Sequence, residues 1–187
     1  MIPFASPFYL AGGTALSLYF QHPLCADLDF FSREPFDPML FWKQLQRQNI
    51  RMENVSFSEG TLHFSLFQVQ VSFFEYDYPM VSKSSFLDSL RVASVEDIAC
   101  MKLSAVLGRA EKKDYFDLAE ILQHLEFREL QDAFQQKFGP EINFYPILKS
   151  MVFFEDVEDS PSPEKSTRTW EWVKETLVRV SERQLLE

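Results

Sequence analysis

The chain has 187 residues, of which 46% are hydrophobic and 20 are phenylalanine, so the composition supports a packed core and argues against an intrinsically disordered protein. Its formal net charge of −10 excludes a surface that is basic throughout, so nucleic acid could bind only through a local basic patch or a basic partner. No segment approaches the roughly 18 apolar residues of a membrane span, and Cys25 and Cys100 lack metal-ligand spacing, so we expect reduced thiols in a cytoplasmic protein that does not contact a membrane.

The first half of the chain alternates strand and helix patterns. A short apolar run at residues 8–11 stops at two glycines, as a buried strand entering a turn does, and Thr14 is placed to cap the helix that follows. Residues 27–31 predict a second strand. The remaining elements predicted before residue 80 are a helix over 39–48, strands over 51–58, 61–67 and 68–76, and a hairpin turn at Glu59-Gly60.

The second half carries helical patterns. Ser94 followed by Glu96 and Asp97 is typical of a helix start, with a hydroxyl N-cap and acids in the first turn. Further helices are predicted over residues 114–125, 128–138 and 145–155 and from Trp170 onward, with an acidic, proline-containing loop at 156–167. We therefore predict an α+β protein, in which an α/β core (residues 1–80) is followed by a helical region (residues 81–187) that packs on it.

Two carboxylates separated by one residue form the first candidate site. Asp27 and Asp29 project from the same side of an extended strand, where their mutual repulsion is costly unless a cation lies between them. Oxygen ligands of this kind suit Mg²⁺. Gly12, Gly13 and Thr14 come just before a helix, where backbone N–H groups can bind an anion. The alternatives are a solvated strand end and a tight turn that binds nothing.

Four cations lie within twelve residues of this acidic chain: Lys102, Arg109, Lys112 and Lys113. Lys102 and Arg109 are seven positions apart and share one face of the predicted helix. One interpretation places Lys102 against triphosphate oxygens and Arg109 or Lys113 near another phosphate. The alternative is a solvated helix face, although Lys102 lies beside apolar residues.

Two acids follow these cations. Asp114 lies at the predicted helix start and is interpreted as a cap that complements the helix dipole. Asp117 lies near the buried side, where an acid needs a cationic or metal partner, so Asp117 is the functional candidate of the two.

A third metal-binding carboxylate is expected on a neighbouring strand. Glu75 and Asp77 are the candidates, because Ser72 occupies the central position of that strand. The three histidines, His22, His63 and His124, are far apart in the sequence and form no set of metal ligands. We expect each to be structural or exposed.

Two blocks of this sequence resemble the AbiEii/AbiGii-type nucleotidyltransferases, small members of the polymerase-β-like superfamily and often toxins of toxin–antitoxin or abortive-infection systems. The first block comprises residues 8–18, His22 and residues 27–31, and the second comprises residues 95–105, Arg109 and residues 112–118. The family commonly has Arg and Ser before the aspartate pair, where this chain has Pro23 and Cys25.

The resemblance implies a nucleotidyltransferase-like mixed sheet with flanking helices and a helical C-terminal half. It implies transfer of a nucleotidyl group from an NTP to a hydroxyl on RNA or protein, with a cognate antitoxin as a further partner. The alternatives are a catalytically weakened binding or regulatory module and a small-molecule phosphotransferase. The implied site comprises catalytic Asp27, Asp29, Lys102 and Asp117 (or Asp114), Mg²⁺ at Asp27 and Asp29, and nucleotide contacts from Gly12, Gly13, Thr14, Lys102, Arg109 and Lys113.

Overall fold

The computed structural model describes residues 7–20, 27–163 and 166–186, which form seven strands, seven α-helices and one short 3-10 helix, Glu155–Val157. None of the helices in these ranges is long and apolar enough to cross a membrane. The strands are β1 (Tyr9–Ala11), β2 (Leu28–Ser32), β3 (Glu53–Ser58), β4 (Thr61–Leu66), β5 (Val69–Glu75), β6 (Ser85–Leu87) and β7 (Leu90–Val92). The α-helices are α1 (Gly12–Phe20), α2 (Pro38–Gln46), α3 (Val95–Gly108), α4 (Lys112–Ile121), α5 (Phe127–Phe138), α6 (Phe144–Met151) and α7 (Trp170–Leu186).

The strands form one mixed sheet in the order β3-β4-β5-β2-β1-β7-β6. The β2–β5 and β1–β7 pairs are parallel, and the other pairs are antiparallel. The register places Asp29 opposite Ala11 on one side and opposite Ser72 on the other, and Ser72 lies opposite His63. Because paired residues point to the same face of a sheet, these four residues form one row across four strands.

The buried hydrophobic side chains form a larger and a smaller cluster, and Leu28 and Phe30 on β2 pack against both. Helix α2 covers one face through Leu45, and the larger core joins β1 and β7 to α1 and to the helices that follow β7. The smaller core is formed by Phe8, Leu45, Leu62, Phe64, Val71 and Phe73.

Helix boundaries follow the capping signals in two cases and depart from them in a third. Ser94 is confirmed as the N-cap of α3, since its hydroxyl accepts the Asp97 backbone N–H. Asp37 caps α2 in the same way, with Pro38 at the first helical position. The prediction that Thr14 caps α1 is wrong, because the helix already begins at Gly12 and the Thr14 hydroxyl donates to the Asp27 backbone carbonyl.

The two strands β6 and β7 were missed by the sequence patterns. Each is three residues long, too short for a period of two to show, and β7 joins the sheet through one parallel register pair, Leu10 with Val92. The segment predicted to be helical after residue 80 therefore also supplies two strands to the sheet.

Cys100 gives a chemical test of the packing around α3. Its side chain is fully buried, and burial raises the pKa of the thiol to about 12. The thiolate is the reactive form, so at pH 8 the native thiol is expected to resist alkylation and to react only after unfolding or as the pH approaches 12. Titration of a Cys25→Ser variant with a chromogenic disulfide, with and without urea, measures this. Rapid labelling of the native variant would contradict the buried position.

Candidate active site

A cavity of about 640 Å³ lies between one face of the sheet and helices α3 and α4. The sheet and the start of α1 supply the aspartate pair and the glycines, and the two helices supply the cations. The predicted site residues that line it are Gly12, Gly13, Asp27, Asp29, Lys102, Arg109, Lys113 and Asp117. Two sequence blocks that are far apart along the chain are therefore brought to one cavity.

The carboxylate side of the cavity is formed at the start of β2. Asp29 is the second residue of that strand, and Asp27 immediately precedes the strand. Burial raises the pKa of Asp29, while Lys102 and a hydrogen bond with Ser72 oppose the rise and Asp27 adds to it. Holding the Asp29 carboxylate ionised in this place is therefore costly, and a bound cation would offset that cost.

The first turn of α1 lies directly against Asp29. Gly12 has a φ of +72°, and a Cβ at this position would lie 3.0 Å from Oδ2 of Asp29. A side chain would thus be strained by the backbone and would also press on the carboxylate. The Thr14 hydroxyl donates to the backbone carbonyl of Asp27 and so connects α1 to the aspartate pair, and a phosphate contact from Thr14 stays a prediction.

Gly12→Ala is expected to reduce both activity and stability. The positive φ costs an alanine about 1–2 kcal/mol in the free energy of unfolding, and displacement of the Asp29 carboxylate is expected to lower kcat/KM by about 10- to 100-fold. Urea denaturation and steady-state kinetics measure the two effects.

Gly108→Ala is the matched control for that substitution. Gly108 also lines the cavity, but a Cβ there would have no heavy atom within 4 Å and no positive φ is involved. The control is expected to keep its activity and to be as stable as the wild type or more stable, by up to about 1 kcal/mol. Equal losses in both variants would show that the contact with Asp29 is unimportant.

The opposite side of the cavity is an ion-pair network centred on Lys102. Its Nζ lies 2.9 Å from Oδ1 of Asp114 and 2.5 Å from Oδ2 of Asp117. Burial alone would lower the pKa of Lys102, but the two aspartates outweigh it and raise the pKa, so the ammonium stays charged. Arg109 binds Asp114 from the other side, with Nε 3.0 Å from Oδ2.

The interpretation of Asp114 as a helix cap is wrong. The N-cap of α4 is Glu111, and Asp114 is the third residue of the helix. The Asp114 carboxylate is fully buried between Lys102 and Arg109, so it belongs to the network. Lys113 lies at the rim, where it is about half-exposed and pairs with Glu111 at 3.0 Å.

The charge balance of the cavity bears on what it can bind. Four aspartates and three cations line it. A net-negative cavity repels a triphosphate unless a divalent cation accompanies the nucleotide.

The donor set fits Mg²⁺, although within the described ranges no three His, Cys, Asp or Glu side chains are grouped so that they could hold a metal. Mg²⁺ is usually held by one or two carboxylates, with water and substrate oxygens completing its shell, and Asp27 and Asp29 supply that number. The predicted third carboxylate is absent from the cavity lining, which includes neither Glu75 nor Asp77. Ser72 lines the cavity in that place.

Strand β5 carries cavity residues that the sequence interpretation missed. Gln70, Ser72 and Phe74 line the cavity, while Val71 and Phe73 point into the smaller core. The alternation of polar and apolar residues along this strand predicted one polar face. The sequence did not show that this polar face lines the site. That connection depends on the register between β5 and β2.

The comparisons with known proteins agree with this geometry. Residues 38–165 match the model of a family described as nucleotidyl transferase AbiEii toxin, type IV TA system. The chain belongs to this family. The AbiEii match includes both α3 and α4 and makes the chain a nucleotidyltransferase of a toxin–antitoxin family. The family match begins at residue 38 and therefore does not include Asp27 and Asp29. The evidence that these two aspartates belong to the same site is the structure, in which they line the same cavity.

The chain is also similar to one curated protein and to solved structures, and the solved structures support the fold. An uncharacterized protein of Aquifex aeolicus (strain VF5), aq_aa25, is 36% identical over 178 residues, which cover 92% of this chain and 85% of that protein. JHP933 from Helicobacter pylori has a TM-score of 0.61 at 17% identity, covering 96% of this chain and 84% of that one. MenT4, the nucleotidyltransferase toxin Rv2826c from Mycobacterium tuberculosis H37Rv, has a TM-score of 0.53 at 15% identity, and the match covers 94% of this chain and 75% of that one.

The two departures from the family pattern, Pro23 and Cys25, lie outside the described residues. The same holds for His22.

Proposed function

We propose that this AbiEii-family protein transfers a nucleotidyl group from an NTP to a hydroxyl acceptor in a Mg²⁺-dependent reaction in the cytoplasm. The observation that carries the proposal is the placement of Asp27 and Asp29 on one side of a single cavity and of Lys102 and Asp117 on the other. A carboxylate pair and a fixed cation facing one another are what binding of a metal–nucleotide complex requires.

The carboxylate side holds the metal in this proposal. Asp27 and Asp29 are the protein ligands, and bound Mg²⁺ supplies neutralisation of the charge on the phosphates and on the attacking oxygen. Gly12 allows α1 to approach Asp29 closely, and Gly13 places a backbone N–H at the helix N-terminus, which favours a phosphate. Thr14 orders the turn through its bond to Asp27.

The helical side holds the phosphates. Lys102 is kept charged and fixed by Asp114 and Asp117, so its ammonium group is oriented before the nucleotide arrives. Arg109 and Lys113 are each about half-exposed at the cavity edge and are placed to meet outer phosphates. Asp117 acts by positioning Lys102.

The acceptor is proposed to be a hydroxyl on RNA or on a protein side chain, and a cognate antitoxin is proposed as a partner. The support for the antitoxin is membership of a type IV toxin–antitoxin family. The acidic overall composition, with a net charge of −10, makes the local cations at the cavity edge the place where a polyanionic acceptor would approach.

Incubation with NTPs labelled at the α- or the γ-phosphorus, with total RNA or soluble lysate protein, tests the proposal. Mg²⁺-dependent transfer of the α-label to an acceptor is the expected result, and its loss in Asp29→Asn assigns it to this cavity. Transfer of the γ-label would establish a phosphotransferase instead. Absence of both transfer and Mg²⁺-dependent NTP binding would establish a module that only binds partners.

A further inference from the structure

Ser72 lies between Asp29 and His63 in the row that crosses the sheet. Its Oγ lies 3.0 Å from Nδ1 of His63, and the register of β2 and β5 places Ser72 directly beside Asp29, so the Ser72 hydroxyl is within reach of the Asp29 carboxylate. Ser72 is only 8% exposed, and the His63 ring packs edge-on against Phe74 with 5.3 Å between ring centroids. The three polar groups are therefore held in sequence by the registers of β2, β4 and β5.

The direction of these two hydrogen bonds follows from counting protons. A serine hydroxyl has one proton to donate, and an ionised carboxylate can only accept. If Ser72 donates to Asp29, then Nδ1 of His63 must carry a proton and donate to Ser72. The bond to the carboxylate is the stronger one, because one of its partners is charged.

We propose that His63 is a positioning residue for the carboxylate that holds the metal. It acts as an Nδ1–H donor that fixes the Ser72 hydroxyl, and Ser72 in turn fixes the orientation of Asp29. This inference rests on the proposed function, since it assigns the outer partners of one proposed Mg²⁺ ligand. Hydrogen-bond partners behind metal ligands commonly set the orientation of those ligands.

The relay also accounts for a neutral residue at the place where a third carboxylate was expected. Another aspartate at position 72 would add a negative charge to a cavity that already has four aspartates against three cations. A hydroxyl held by an imidazole orients Asp29 and favours its ionised form without adding charge.

The tautomer of His63 is the direct test, and it needs neither metal nor nucleotide. Long-range ¹⁵N–¹H correlation spectra of the full chain at pH 8 distinguish Nδ1–H from Nε2–H in a neutral imidazole. The expected result is an Nδ1–H tautomer for the resonance that disappears in His63→Asn, and loss of that preference in Ser72→Ala. An Nε2–H tautomer in the wild type, or no change in Ser72→Ala, would overturn the proposal.

Two substitutions of His63 extend the test to activity. Asparagine places an amide N–H near the position of Nδ1, whereas leucine removes the donor. His63→Leu and Ser72→Ala are expected to lower the apparent Mg²⁺ affinity or kcat/KM by about 10- to 100-fold. His63→Asn is expected to stay within about 3-fold of the wild type, because the donor is retained. Equal losses in the asparagine and leucine variants, with unchanged melting temperatures, would overturn a role for the donor.

The two readouts separate this inference from the proposed function. If the wild-type chain transfers no label from any NTP, the proposed function fails, and the His63 tautomer still decides whether the hydrogen-bond relay exists. If label is transferred but His63 carries its proton on Nε2, the function stands and the relay is wrong.

Discussion

Asp29→Asn is expected to remove nucleotidyl transfer while leaving the fold at least as stable as the wild type. Asparagine keeps the shape and can still accept the hydrogen bond from Ser72, but it lacks the charge that a metal ligand needs here. Loss of one such fixed electrostatic group is expected to lower kcat by about 10²- to 10³-fold. Burial raises the pKa of Asp29, which means that keeping this carboxylate ionised in the wild type costs free energy of folding. A neutral asparagine does not carry this cost, so the variant is expected to be at least as stable as the wild type.

Measurement of transfer rate, Mg²⁺-dependent NTP binding and melting temperature on the same preparation checks this expectation. Asp132→Asn is the matched control, because Asp132 is an exposed carboxylate on α5 and the chemical change is identical. The control is expected to leave all three quantities near their wild-type values. If Asp29→Asn bound metal–NTP as well as the control did, then Asp29 would not be a metal ligand.

Much of the site was predictable because local rules determine it. The spacing of Asp27 and Asp29 predicts that both face one side, and both line the cavity, although only Asp29 lies within β2. A glycine is needed where α1 begins with a positive φ against a carboxylate. The second sequence block also carries the lysine and the acids at helical spacing, and Lys102, Arg109 and Asp117 do line one cavity. The helix starts at Ser94 and near Pro38 follow capping chemistry.

The parts that were missed depend on contacts between distant segments. Asp114 has the sequence context of a helix cap, and its actual role follows only from the way α4 folds back so that Lys102 and Arg109 reach it. The Thr14 hydroxyl binds the carbonyl of Asp27, thirteen residues away, where the pattern predicted a helix cap. The relay from His63 through Ser72 requires the registers of three strands, which alternation within one strand cannot reveal.

A second buried ion pair, away from the candidate site, holds the helical region to the sheet. Nζ of Lys137 on α5 lies 2.8 Å from Oδ1 of Asp97 on α3, and both side chains are fully buried. Asp97 also accepts the backbone N–H groups of Val81 and Ser82, and Lys137 donates to the carbonyl of Pro79. This ion pair therefore connects α3 and α5 to each other and to residues 79–82, which follow β5.

Lys137→Met is expected to lower the free energy of unfolding by about 3–5 kcal/mol, the usual effect of leaving one member of a buried ion pair without its partner. Methionine keeps most of the aliphatic length, so the loss reports on charge and hydrogen bonding more than on volume.

Lys43→Met, an exposed lysine on α2, is the matched control for this substitution and is expected to change stability by no more than about 0.5 kcal/mol in urea denaturation followed by circular dichroism. The backbone N–H groups and the Ser94 hydroxyl remain on Asp97 in Lys137→Met, so the expected loss lies toward the lower end of the range. A loss below 1 kcal/mol would mean that these neutral donors are sufficient for the carboxylate and that Lys137 adds little. In that case, α5 would be held to α3 chiefly by the hydrophobic core that the two helices share.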